Sequence, residues 1–198
     1  TPIIENVSFS IDVHETVGIC YSQDNTDTAS SVGHLLQGLF PTSSGSILLD
    51  GNDVSTFNIR HLRSNIALVD KTNHFFPGSL RDNFQRILPN ANNDRISWAC
   101  EIASATEQMQ ELNVSLETQM DDLQGIWNAD FKIKLSLARA LMRNPKVLIL
   151  DDIFSDMDTD SILRFKATFD KISKSRTMIL VSRELHNLTA CKKLMFFN

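Results

Sequence analysis

The sequence predicts an α/β fold, a mostly parallel sheet layered with helices, and three observations carry that expectation. Four short apolar runs, Val17 to Cys20, Ile66 to Val69, Val147 to Leu150 and Met178 to Val181, are continuous rather than alternating, the pattern of strands covered on both faces. Segments of helical periodicity separate these runs, and alternation of strand and helix is the mark of a parallel sheet. Composition agrees: 198 residues with 42% hydrophobic and 22% charged side chains can close one or two modest cores.

The elements follow in order. Val7, Phe9 and Ile11 alternate with Ser8 and Ser10, the period of a half-buried strand, and Ile47 to Leu49 running into Asp50-Gly51 reads as another strand with a turn, so a small antiparallel part is expected. Helices are expected over Ser30 to Phe40, Ser79 to Arg86, Arg95 to Ala105, Phe131 to Met142 and Thr159 to Ser173. In the last of these, Ile162, Phe165, Phe169 and Ile172 recur at three- and four-residue spacing, which lines one face of a helix. Leu194 to Phe197 is a closing apolar run. Residues 87–128 break the alternation with helical and polar sequence and read as a helical subdomain set into a sheet core of residues 1–86 and 129–198, the whole expected to form one domain.

Composition also excludes several functions. Nineteen Lys and Arg against 24 Asp and Glu leave a net charge of -5, the wrong sign for a nucleic-acid partner. Cys20, Cys100 and Cys191 are far apart and lack CxxC spacing, which argues against a zinc site or a disulfide framework and for a reducing compartment. No apolar run approaches the roughly 18 residues of a membrane span. Only 7 glycines occur, where ordinary usage would supply about 14, and glycine is what lets backbone approach a phosphate closely.

Five segments, in this order and spacing, resemble the nucleotide-binding domain of an ATP-binding-cassette (ABC) transporter of the exporter type: IIENVSFSIDVHETVGI, GLFPTSSGSILLDGNDV, LRSNIALVDKTNHFFPGSLRDN, LSLARALMRNPKVLILDD and SDMD. The resemblance covers nearly the whole chain. It implies a P-loop NTPase-like core with a small antiparallel β part and a helical subdomain, ATP and magnesium as ligands, and two partners: the transmembrane domain of the same transporter and a second nucleotide-binding domain. It places the chain at the cytoplasmic face of the cell membrane.

The positions that would carry the chemistry depart from the family pattern one by one. In the segment after Val17 to Cys20, Ala29 aligns with the phosphate-loop lysine, Ser30 and Ser31 with its hydroxyl pair, and Thr26 and Thr28 with glycines; the stretch from Tyr21 to Ser31 holds no glycine. Asp24 and Asp27 add negative charge where phosphates would lie, and Asp27 or Thr28 is expected to cap the following helix. Lys71 stands at the Q-loop position, where a lysine cannot ligate a cation. Phe75 and Phe76 beyond it fit a docking surface for the membrane domain. The signature segment reads Trp127-Asn-Ala-Asp-Phe131, with Asn128 and Asp130 in place of the residues that would face a partner's ATP. Asp151 aligns with the Walker B carboxylate and, with Ser30, marks the vestigial magnesium site. Asp152 takes the place of the catalytic glutamate, one methylene shorter, and a misplacement of about 1 Å can cost roughly 100-fold in rate. Arg183 stands at the switch histidine, His186 reads as a surface residue, and Asp158 aligns with the D-loop as an interface residue.

These departures point to a degenerate nucleotide-binding domain with a structural or regulatory role and little or no ATP hydrolysis. Two alternatives remain open at this level. One is a divergent but working Mg-ATPase that uses Ser30 and Asp151, with charge compensation from Lys71 or Arg183. The other is a soluble interaction module built on the same fold.

Overall fold

A computed structural model describes residues 4–22, 26–72, 74–126 and 128–197, the side chains of residues 26–30 excepted. A five-stranded sheet forms its centre, in the order β4-β5-β6-β1-β7. β1 (Thr16–Tyr21), β4 (Ile66–Asp70), β5 (Val147–Asp151) and β6 (Thr177–Ser182) are the four continuous apolar runs, each extended by a residue or two, and β7 (Lys193–Phe197) is the closing run. β1 runs parallel to both β6 and β7, and β5 runs parallel to β6. All six residues of β1 are buried, which explains why its sequence does not alternate. Gly18 sits where β7 presses closest. A Cβ there would lie 2.6 Å from Leu194 Cδ2, so no larger residue fits without a shift.

The antiparallel part is smaller than the sequence predicts. β2 (Leu48–Leu49) and β3 (Asn52–Asp53) form a two-stranded hairpin turned by Asp50 and Gly51, whose φ values of 50° and 78° match the twist that a two-residue hairpin needs. Val7 to Ile11, expected as a half-buried strand, forms no strand, and Val7 and Phe9 are 41% and 46% exposed. Alternation alone does not make a strand: its backbone needs a neighbouring edge, and among the described residues none pairs with it.

Seven α-helices complete the described fold: α1 (Thr26–Leu36), α2 (Ile59–Asn65), α3 (Leu80–Ile87), α4 (Asn93–Ile102), α5 (Thr106–Glu111), α6 (Ala129–Leu141) and α7 (Thr159–Ser173). α7 has the predicted bounds. Its N-cap Asp158 accepts a hydrogen bond from the Ser161 amide, and Phe165, Phe169 and Ile172 are buried on one face. α1 begins four residues earlier than expected, so Asp27 and Thr28 lie inside its first turn instead of capping it. α2 was not predicted. It is a short helix with a single buried residue, Leu62, and it starts at Asn58, whose side chain accepts from the Arg60 amide.

The chain divides into two compact units, Thr1–Leu68 with Pro145–Asp152 and Ser175–Asn198, and Val69–Asn144 with Ile153–Lys174. The first has a core of Ile19, Val32, Leu62, Ile66, Ile149, Ile179 and Val181. The second is helical. In it α4 packs on α6, and the guanidinium of Arg95 donates to the carbonyls of Leu141 and Met142 at the end of α6. This unit holds α3, α6 and α7 together with α4 and α5.

Candidate functional site

Parallel strands bring their carboxyl ends to one edge of a sheet, where ligands of α/β proteins bind. Register decides which side chains meet there. Cys20 pairs with Ser182 and Asp151 with Val181, so the residues that leave these strands, Tyr21, Asp152 and Arg183, become neighbours. The amide of Asp152 still donates to the Val181 carbonyl at 2.9 Å, after which the chain turns away with φ of 50° at Asp152. Aspartate is among the few residues that adopt this left-handed backbone readily.

The carboxylate of Asp152 is buried and lies 3.8 Å from the guanidinium of Arg183. The Tyr21 hydroxyl also reaches Asp152. Burial first, and then the charge of Asp152, push the Tyr21 phenol up to about 12. The turn that presents Arg183 is shaped by Ser182, whose hydroxyl accepts from the Glu184 amide at 3.2 Å and the Asn187 amide group at 3.3 Å, and by Cys20, whose thiol donates to the Arg183 carbonyl at 3.7 Å. Tyr21, Ser22, Arg183 and Glu184 line an open cavity of about 460 Å³ at this edge. Asp151 is buried beside Asp152 at the end of β5. Tyr21 is the one member of the cluster that sequence reasoning missed. It directly follows the apolar run of β1, but nothing in the local pattern marks it.

The other predicted positions are distributed as follows. Thr28, Ala29, Ser30 and Ser31 fall within α1; the side chains of the first three, and Asp24 and Trp127 altogether, lie outside the described residues. Lys71 is exposed in the turn after β4. Phe75 is half-buried beneath the guanidinium of Arg139, 4.5 Å from its ring, while Phe76 is 50% exposed with Arg86 stacked on it at 4.8 Å. Arg139 donates to the His74 carbonyl at 2.5 Å, and the buried Asn83 bonds both the amide and the carbonyl of Phe76. His186 is exposed, 3.1 Å from Glu184. Asp158 caps α7, and the bond from Ser161 holds its carboxyl below the usual range.

The helix α6 is capped by Asn128, which accepts from the Phe131 amide at 2.7 Å. Asp130 does not face solvent: it is 3% exposed and paired with Lys134 at 2.8 Å. Gln108 of α5 ties the two together, donating to Asn128 and accepting from Lys134, each at 3.3 Å. A buried ion pair thus lies in the first turns of α6.

Residues 4–155 match the family model described as ABC transporter. The chain belongs to the ABC transporter family. Among its curated relatives, the multidrug resistance protein sirA of Leptosphaeria maculans is 29% identical over 99% of this chain and 16% of that protein. Multidrug resistance protein 1 of Entamoeba histolytica is 29% identical over 97% of this chain and 15% of its own length. A Staphylococcus aureus protein named for multidrug export as an ATP-binding/permease protein is 28% identical over 98% and 33%. The chain therefore spans a third or less of the relatives it matches. Its parallel sheet, helices and small antiparallel sheet fit the α/β P-loop ATPase fold of that family. Among the described residues no helix is long and apolar enough to cross a membrane.

Proposed function

We propose that this chain is a degenerate nucleotide-binding domain of an exporter-type ABC transporter, with a structural or regulatory role and little or no ATP hydrolysis of its own. It couples to a transmembrane domain through the surface carrying Phe75 and Phe76, pairs with a second nucleotide-binding domain, and works at the cytoplasmic face of the membrane. The observation that carries the reading is the engagement of Asp152. The carboxylate aligned with the family's catalytic acid is held by the protein's own Arg183 and Tyr21, so it is not poised as a base for an attacking water.

The residues at hand fit a magnesium-nucleotide poorly. Residues 22–31 contain no glycine to form an anion nest and no lysine to reach an outer phosphate. Burial of Asp130 against Lys134 also supports the reading, since this helix end then offers no open backbone to a partner's phosphate. Purified protein incubated with magnesium and ATP is expected to release phosphate at the background rate, unchanged by Asp152→Asn. Hydrolysis at family-like rates that disappears in Asp152→Asn would show instead the divergent working ATPase.

A further inference from the structure

Between α4 and α5 lies a cleft of about 300 Å³, floored by the buried Ile96, Cys100 and Val114 and walled by the half-buried Met109 and Leu116. Burial pushes the Cys100 thiol up to about 12, so the floor stays neutral and apolar. Glu101 is the only charged residue lining the cleft. Glu107 and Glu111 stand exposed on α5 itself, and Asp94, Glu117, Asp121 and Asp122 are exposed elsewhere in the same stretch. The sole base of residues 87–128, Arg95, is turned away, bonded to the end of α6 and stacked 4.1 Å over Trp98. This one stretch thus carries more net negative charge than the whole chain, whose balance is -5. Two cations approach from neighbouring helices: Arg81 of α3 pairs with Glu117 at 2.7 Å, and Lys171 of α7 donates to the backbone carbonyl of Glu101 at 3.2 Å. Neither meets the carboxylates of Glu101, Glu107 or Glu111 in an ion pair.

We propose that this cleft docks a cationic amphipathic helix of a partner protein, which inserts one large apolar side chain between α4 and α5 and sets Lys or Arg against the surrounding carboxylates. An apolar cleft with an anionic surround selects that occupant by charge complementarity. It repels nucleic acid and anionic lipid, and a second copy of the same face would meet like charge. The docking needs no nucleotide and shares no residue with the Tyr21, Asp152 and Arg183 cluster, so it holds or fails independently of the hydrolysis experiment.

Fluorescence anisotropy with two labelled synthetic helices tests it: one of Leu and Lys with a central Phe, and its counterpart with Glu for every Lys. The Lys peptide is expected to bind and the Glu peptide not. Affinity should fall roughly tenfold in Glu101→Lys/Glu111→Lys, which reverses two charges, and by a similar factor in Ser97→Trp, which fills the cleft from its exposed rim without changing charge. Circular dichroism of each variant shows whether it is folded; if Ser97→Trp misfolds, Ser97→Leu replaces it. Loss on charge reversal with full binding in the filled variant would reduce the effect to general electrostatic attraction and overturn the proposal. Equal binding of both peptides would do so too, as would self-association of the chain that Ser97→Trp abolishes.

Discussion

The Arg183 guanidinium stands 3.8 Å from the Asp152 carboxylate, joining the turn after β6 to the end of β5. Arginine stays charged at every accessible pH, so the pair does not open through loss of the cation. Arg183 is more than a third exposed, at 38%, and solvent screens its attraction. The buried side of the arrangement is Tyr21, which covers Asp152 from β1. The cluster is therefore best followed from the tyrosine.

Tyr21 is the only tyrosine in the chain, so absorbance titration of tyrosinate reports on this cluster alone. A midpoint of about 12 is expected in the folded protein and about 10 in denaturant. Asp152→Asn should lower the folded midpoint and Arg183→Met should raise it, because the first removes a negative neighbour and the second a positive one. The folded state keeps its phenol proton where the unfolded state has lost it. Stability is then whole below pH about 10 and falls between about 10 and 12, by less than about 3 kcal/mol once solvent screening is allowed for. Tyr21→Phe should lack that part of the alkaline decline in urea unfolding.

Lys134→Ala strands the buried Asp130 carboxylate without its cation. Breaking one side of a buried pair costs about 3 kcal/mol, and urea denaturation at neutral pH measures it. Asp130→Ala/Lys134→Met, which removes both charges, should cost clearly less. Equal losses in the two variants would mean that the pair contributes through packing and not through charge.

Arg139→Met removes the bond to the His74 carbonyl and the charge above Phe75. A stability loss of about 1 to 3 kcal/mol is expected, with faster hydrogen exchange confined to the backbone around residues 74–76. Arg139→Lys should recover little, since an ammonium cannot both stack flat on a ring and reach the carbonyl. Exchange that rises uniformly across the helical unit would argue for general loosening.

Gly18→Ala forces a methyl group to within 2.6 Å of Leu194 Cδ2 and 3.1 Å of Cys191 Sγ. Overpacking costs about 1 to 3 kcal/mol, and the low end is expected because Leu194 is 43% exposed and its tip can rotate aside. Gly18→Ala/Leu194→Ala should regain part of the loss relative to Leu194→Ala alone, read as a coupling energy in a double-mutant cycle.

Much of the fold was legible before any coordinates. The continuous runs ending at Cys20, Val69, Leu150 and Val181 became β1, β4, β5 and β6, because burial on both faces leaves a signature that needs no partner to be read. Gly51, read as part of a turn, has a positive φ, a local requirement that local sequence reports. Val7 to Ile11 misled, since its alternation describes a surface and not a hydrogen-bonded edge. α2 and α5, at 7 and 6 residues, are too short to show a periodic stripe.

By itself the sequence determined the buried strands and the longer helices, the family, and the absence of glycine and lysine from the segment where phosphates would lie. Each of these is a property of neighbouring residues or of motifs in fixed order. Only the tertiary structure decided that Tyr21 covers Asp152, that Arg183 pairs with it, and that Asp130 turns inward to Lys134 and Gln108. Strand register and helix packing join residues from distant parts of the chain, and no local spacing records which side chains will share a charge.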